Sequence, residues 1–69
     1  MPEPVSLGEA YPVEQERCRE LLLAYAKIGP AGAFGLMSIK AVLREADEAS
    51  VSGDPVRMLR AFDRMKGCA

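Results

Sequence analysis

Histidine and tryptophan are absent from the 69 residues, and cysteine occurs only at Cys18 and Cys68. Each scarcity removes a chemistry. Zinc takes about four Cys, His or carboxylate ligands; two distant cysteines without histidine do not supply them, so neither a metal nor a cofactor is expected. A nucleophilic thiol needs a base to accept its proton, and Cys18 has no histidine to serve it. One conceivable bridge in so short a chain is not a disulfide framework. Cys18 reads instead as a small hydrophobe on the apolar side of a helix, and Cys68 as an exposed, frayed end. Long apolar runs are also missing. The longest, Leu21–Ala26, is far short of the ~20 residues that span a bilayer. The start has neither a basic n-region nor an apolar h-region, so a cytoplasmic protein without a signal peptide or membrane contact is expected.

No excess of one charge sign stands out either. Nine Lys and Arg face ten Asp and Glu, a net charge of −1, which gives no whole-molecule attraction to nucleic acid or anionic lipid. The placement is uneven: Glu3, Glu9, Glu14, Glu16 and Glu20 crowd the first part, while Arg57, Arg60, Arg64 and Lys66 crowd the end. These two groups either attract each other, within one molecule or between two, or are merely solvated faces.

What is present is apolar material at helical spacing. It makes up 49% of the chain, but much of it is alanine, which buries little area. A domain this small hides only about 60% of the surface of its unfolded chain, so either the helices pack closely or a second copy adds burial. Residues 1–11, with Pro2, Pro4 and Gly8, show no period and read as an extended or disordered lead-in, although Val5, Leu7 and Tyr11 are able to pack back on the domain. Helix one is expected over 12–28, with Pro12 at its first position and Glu14 and Glu16 at the positive end of the dipole. Cys18, Leu21, Leu22, Tyr25 and Ile28 form its apolar arc, and Leu23 projects among the charges. Helix two is expected over 31–50, opened by Pro30 or starting nearer Ala33, with Leu36, Ile39, Val42, Leu43, Ala46 and Ala49 inward. On its other side Lys40 and Arg44 meet Asp47 and Glu48 at helical spacings. Helix three, 55–66, is announced by Gly53, the N-cap Asp54 and Pro55, with Leu59, Phe62 and Met65 inward, flanked by Met58 and Ala61. Asp54→Ala should cost that helix about 1 kcal/mol. The expected fold is all-α: a small three-helix bundle, domain 12–67, behind an irregular N-terminal segment.

The stretch "GPAGAFG", residues 29–35, has the look of a phosphate loop. Such a loop needs a buried strand before it and a Gly-Lys-Ser/Thr ending; here a helix precedes it, and Leu36 and Met37 follow. It reads as a corner, in which Gly32 and Gly35 let helix two lie against Leu22 and Tyr25. Glu45, Asp47 and Glu48 lack the glycine-centred spacing of a calcium loop and read as solvated surface. No enzyme is expected, and no small-molecule substrate.

Two surfaces remain. Leu23 together with the stripe Phe34, Met37 and Ala41 lies outside the main apolar arcs, and marks either a contact with another chain or a core completed by the lead-in. Arg57, Arg60 and Arg64 share an arc of ~60° on helix three, a stripe able to meet phosphates or an acidic partner. The favoured function is a non-enzymatic protein-interaction module, acting as a homodimer or on a larger partner; the alternative is a nucleic-acid accessory protein using the arginine stripe.

Through "YAKIGPAGAFG", "LREADEA" and "SGDPVRML", residues 13–68 resemble short uncharacterised helical proteins encoded in bacteriophages and proteobacterial prophages. The resemblance implies a helical accessory protein and carries over no functional residue. "EADEASVSGDPVRMLRAF" is similar to one helix-turn of a tetratricopeptide-type repeat, which implies a helical hairpin without a repeat array.

Overall fold

A computed structural model describes residues 6–69. It consists of α1 (Leu7–Ile28), a 3-10 turn (Gly29–Gly32), α2 (Ala33–Ser52) and α3 (Pro55–Lys66). The all-α class stands, and no strand occurs among the described residues. The arrangement is flatter than the expected bundle. Two long helices form an antiparallel hairpin, and the short α3 lies chiefly on α2 with lighter contact to α1. The molecule measures 39 × 31 × 14 Å, so its thickness barely exceeds one helix with its side chains, ~10–12 Å.

The start of α1 corrects the sequence reading. Residues 7–11 are helical rather than lead-in, and Pro12 sits inside the helix instead of opening it. Glu14 and Glu16 are therefore mid-helix, and Glu9 is the acid of the first turn. Ser6 is the N-cap, its hydroxyl accepting from the Glu9 N–H at 3.3 Å. Proline in a helix interior costs about 3 kcal/mol, and Tyr11 opposes that loss. Its ring is 2% exposed and stacks on Phe62 with centroids 6.3 Å apart. Its hydroxyl donates to the Ala46 carbonyl at 2.6 Å. The part of the lead-in before Ser6, Val5 included, lies outside the described residues.

The core is small: Tyr11 and Cys18 from α1, Ile39, Leu43, Ala46 and Ala49 from α2, Ala61 and Met65 from α3. The arc expected for α2 is the one buried. Of the other residues expected inward, Leu21, Leu22, Tyr25, Val42, Met58 and Phe62 pack half-buried against this core, and two are exposed. Ile28, at the last position of α1, is 57% exposed because the chain turns away beneath it, and Leu59 is 52% exposed because α3 turns Met58, Ala61 and Phe62 inward instead. The α2–α3 corner follows expectation, except that α2 runs on to Ser52. Gly53 takes a left-handed conformation at φ 70°, and the Asp54 carboxylate accepts from the Val56 and Arg57 N–H groups.

Polar ties join the helices at the end of the hairpin where the termini of α1 and α2 are free. Asp47 leaves Lys40 and Arg44, its expected neighbours, and accepts from Gln15 at 2.8 Å and Arg19 at 3.1 Å on α1. Glu45 receives Arg57 of α3 at 2.9 Å, and Glu48 receives Arg57 and Arg44. The acidic trio is solvated helix surface, as expected, and also ties α2 to its neighbours through these partly exposed pairs. No ion pair among the described residues joins the N-terminal acids to the C-terminal arginines, so of the two readings left open, attraction within one molecule is not how α1 meets α3. Arg17 reaches α3 through carbonyls instead, donating to Met65 and, at 2.8 Å, to Cys68.

Candidate functional site

The closed end of the hairpin is built around Tyr25. A β-carbon on Gly32 would stand 2.7 Å from the Tyr25 carbonyl oxygen, and one on Gly35 2.7 Å from Cε1 of the Tyr25 ring. Both glycines therefore permit the close crossing expected of them, against Tyr25. Gly29, at φ 80°, turns the chain out of α1. The Tyr25 hydroxyl donates to the Ala69 carbonyl at 2.8 Å, which draws the C-terminal residues toward this end. With Gly32 and Gly35 locked on Tyr25, the corner presents the side chains around it in a fixed arrangement.

Those side chains are large and apolar. Phe34 is 85% exposed, Met37 70% and Leu23 64%, and Ala41 is exposed beside them. The described residues do not cover the Phe34–Met37–Ala41 stripe. Met37 and Ala41 share a shallow groove with Lys40, Arg44, Glu45 and Glu48. Phe34 lies one turn before Met37, while Leu23 stands on the neighbouring helix. Ile28, at the end of α1, is a further exposed apolar residue near this corner and was missed, since its helical phase matches the core arc; only its place beside Gly29, at the helix end, hinted that nothing would lie across it.

Charge separates this end from the rest. Between Glu20 and Glu45 there is no acid, and Lys27 and Lys40 are joined only by Arg44, which pairs with Glu48 at 3.5 Å. Lys27 and Lys40 make no ion pair among the described residues. The helical stretch Leu7–Ser52 contains an 18-residue window apolar enough to cross a membrane by length and composition, but the chain folds back on itself at Gly29–Gly32 within that stretch. The other exposed large apolar residues are Val51 and Val56 beside the α2–α3 corner, Leu59 on α3 and Val13 on α1.

The arginine stripe is only partly available. Arg57 is half-buried and committed to Glu45 and Glu48, and its hydrogen bonds hold the Glu45 carboxyl below the usual carboxylate range. Arg60 and Arg64 are exposed, but they share a groove with Asp54, Asp63 and Glu45, so the surface is of mixed sign. Among the described residues, no three potential metal ligands cluster. Cys18 is fully buried, and burial, then the neighbouring Cys68, pushes its thiol up. Cys68 is not frayed as expected; it is half-buried against the core.

No family model, curated protein or solved structure matches this chain.

Proposed function

We infer that the chain is a non-enzymatic helical interaction module whose hairpin tip docks into an acid-rimmed apolar surface of a larger protein. One observation carries the reading: Phe34, Met37 and Ala41 are exposed on one stripe of α2, and the stretch 21–43, which also exposes Leu23 and Ile28, holds Lys27 and Lys40 and no acid. An apolar centre with a charged rim is how protein interfaces are built, and the groove beside Met37 has such a rim in Lys40, Arg44 and Glu48. Charge also chooses between a foreign partner and a second copy. Two tips meeting face to face would bring four lysines together, with Glu45 and Glu48, the acids of the groove, already engaged by Arg57 and Arg44, and like charges across an interface disfavour that pairing. The resemblance to phage- and prophage-encoded proteins makes a phage or host protein the expected partner.

A photo-crosslinking benzophenone residue at Met37 tests this in the native host. The expected product is an adduct with one acidic protein, lost in Phe34→Asp and weakened by salt. The free chain should sediment as a monomer at high micromolar concentration. Adducts with a second copy would move the reading to self-association, and binding to anionic vesicles without any protein adduct would move it to a lipid surface. Salt-sensitive DNA or RNA binding, abolished by glutamine at Arg57, Arg60 and Arg64, would restore the nucleic-acid alternative.

A further inference from the structure

The C-terminal turn is held on α1 by a clasp that no interaction module needs. The Cys68 N–H donates to the Met65 carbonyl at 3.1 Å, and the Cys18 thiol approaches the same oxygen at 3.8 Å. Arg17, next to Cys18 in the chain, donates to the Cys68 carbonyl at 2.8 Å and to Met65 as well. Tyr25 holds Ala69. The Cys68 thiol approaches the Arg64 carbonyl at 3.5 Å, so both free cysteines lie against carbonyls of the same C-terminal turn, Cys18 from α1 and Cys68 from the turn itself. Cys18 is sealed from solvent, whereas Cys68 is partly accessible.

We propose that Cys18 and Cys68 are a covalent modification site, an intramolecular disulfide pair that locks the C-terminal turn onto α1. The oxidant is a low-molecular-weight disulfide. The accessible Cys68 thiolate attacks one of its sulfurs, forming a mixed disulfide and expelling one small thiolate. The Cys18 thiolate then attacks the Cys68 sulfur and expels the second. One small disulfide is reduced to two thiols, which take up the two protons lost by the cysteines, and one protein disulfide forms. To form the ~2.05 Å sulfur–sulfur bond, the Cys68 side chain leaves the Arg64 carbonyl and turns toward Cys18.

The test exposes the folded full chain to oxidised glutathione. The expected product is a monomer lighter by two hydrogens, with no titratable thiol and a single cross-linked peptide joining Cys18 to Cys68. Closing so long a loop should raise the melting temperature by about 10 °C, and a reductant should reverse the rise. Order of attack is read from two variants. Cys18→Ser should accumulate glutathione on Cys68, and Cys68→Ser should leave Cys18 unreacted. Because Cys18→Ser alters a buried position, the wild-type chain and Cys68→Ser carry the test if that variant fails to fold. Two thiols still free in the oxidised wild type, bridges only between separate chains, or a melting temperature unchanged by oxidation would each overturn the proposal.

Discussion

At the open end of the α1–α2 hairpin, Tyr11 is buried against Phe62 and hydrogen-bonded to Ala46, and Asp47, Glu45 and Glu48 fasten three helices with named partners. At the closed end, Phe34, Met37, Leu23 and Ile28 stand in solvent, and the fold is held by the fit of two glycines against Tyr25. The same two helices run through both ends. Stability is concentrated where apolar groups are covered and charges are paired; the other end leaves its large apolar side chains in solvent. This division of labour is what the following substitutions probe.

Tyr11→Ala should produce the largest loss. It removes a buried ring and its hydrogen bond, and leaves Pro12 inside α1 with nothing to offset its cost. Truncating a buried aromatic costs about 3–5 kcal/mol, a large part of the stability of a domain this size. Chemical denaturation followed by circular dichroism measures it. Tyr11→Phe isolates the hydrogen bond, at about 1 kcal/mol. A Tyr11→Ala variant as stable as the parent would mean that the open end is not where the fold is held.

Gly32→Ala comes next, and it is the change at the closed end expected to cost the fold most. The added methyl would meet the Tyr25 backbone oxygen, which cannot swing aside, and overpacking of this kind costs about 1–3 kcal/mol. Gly35→Ala meets the ring edge instead, which can rotate, so its cost should be the lower of the two. Asp47→Ala, which frees Gln15 and Arg19, should cost about 1 kcal/mol, since both its contacts are partly solvated and exposed ion pairs contribute little.

Much of this division was legible in the residues. Gly53, Asp54 and Pro55 marked the α2–α3 corner because capping is a local interaction, written in neighbouring side chains. The α2 arc was readable because both of its flanking helices cover one continuous stripe. The true start of α1 was written too, in Ser6 and Glu9 at capping-box spacing, but Pro12 pointed to a later start. Only the tertiary burial of Tyr11 against α2 and α3 shows why a helix tolerates that proline. Likewise the acidic trio is solvated as read, but its pairing with Arg19 and Arg57 was not legible because these partners lie on other helices. At the candidate site, Leu23, Phe34, Met37 and Ala41 were found because they break the helical period, while Ile28 obeys the period and escaped notice. Periodicity reports which way a side chain points, not whether another helix extends far enough to cover it.

The smallest expected effect on folding is also the sharpest test of the comparison. Phe34→Asp and Met37→Asp, singly or together, replace side chains that are 85% and 70% exposed. Surface substitutions away from packing and capping features change stability by about 0.5 kcal/mol or less, and a carboxylate near the unpaired Lys40 has a favourable neighbour. Melting temperature and helicity should therefore stay close to the parent values. The benzophenone adduct at Met37 should disappear when Phe34→Asp is present, because an acid is placed where an apolar, acid-rimmed partner must close. Loss of the adduct with retention of the fold separates contact from stability in a way that no change at Tyr11 can. If both aspartates instead unfolded the chain, Phe34 and Met37 would be covered in solution, and the closed end would be a second core rather than a docking surface.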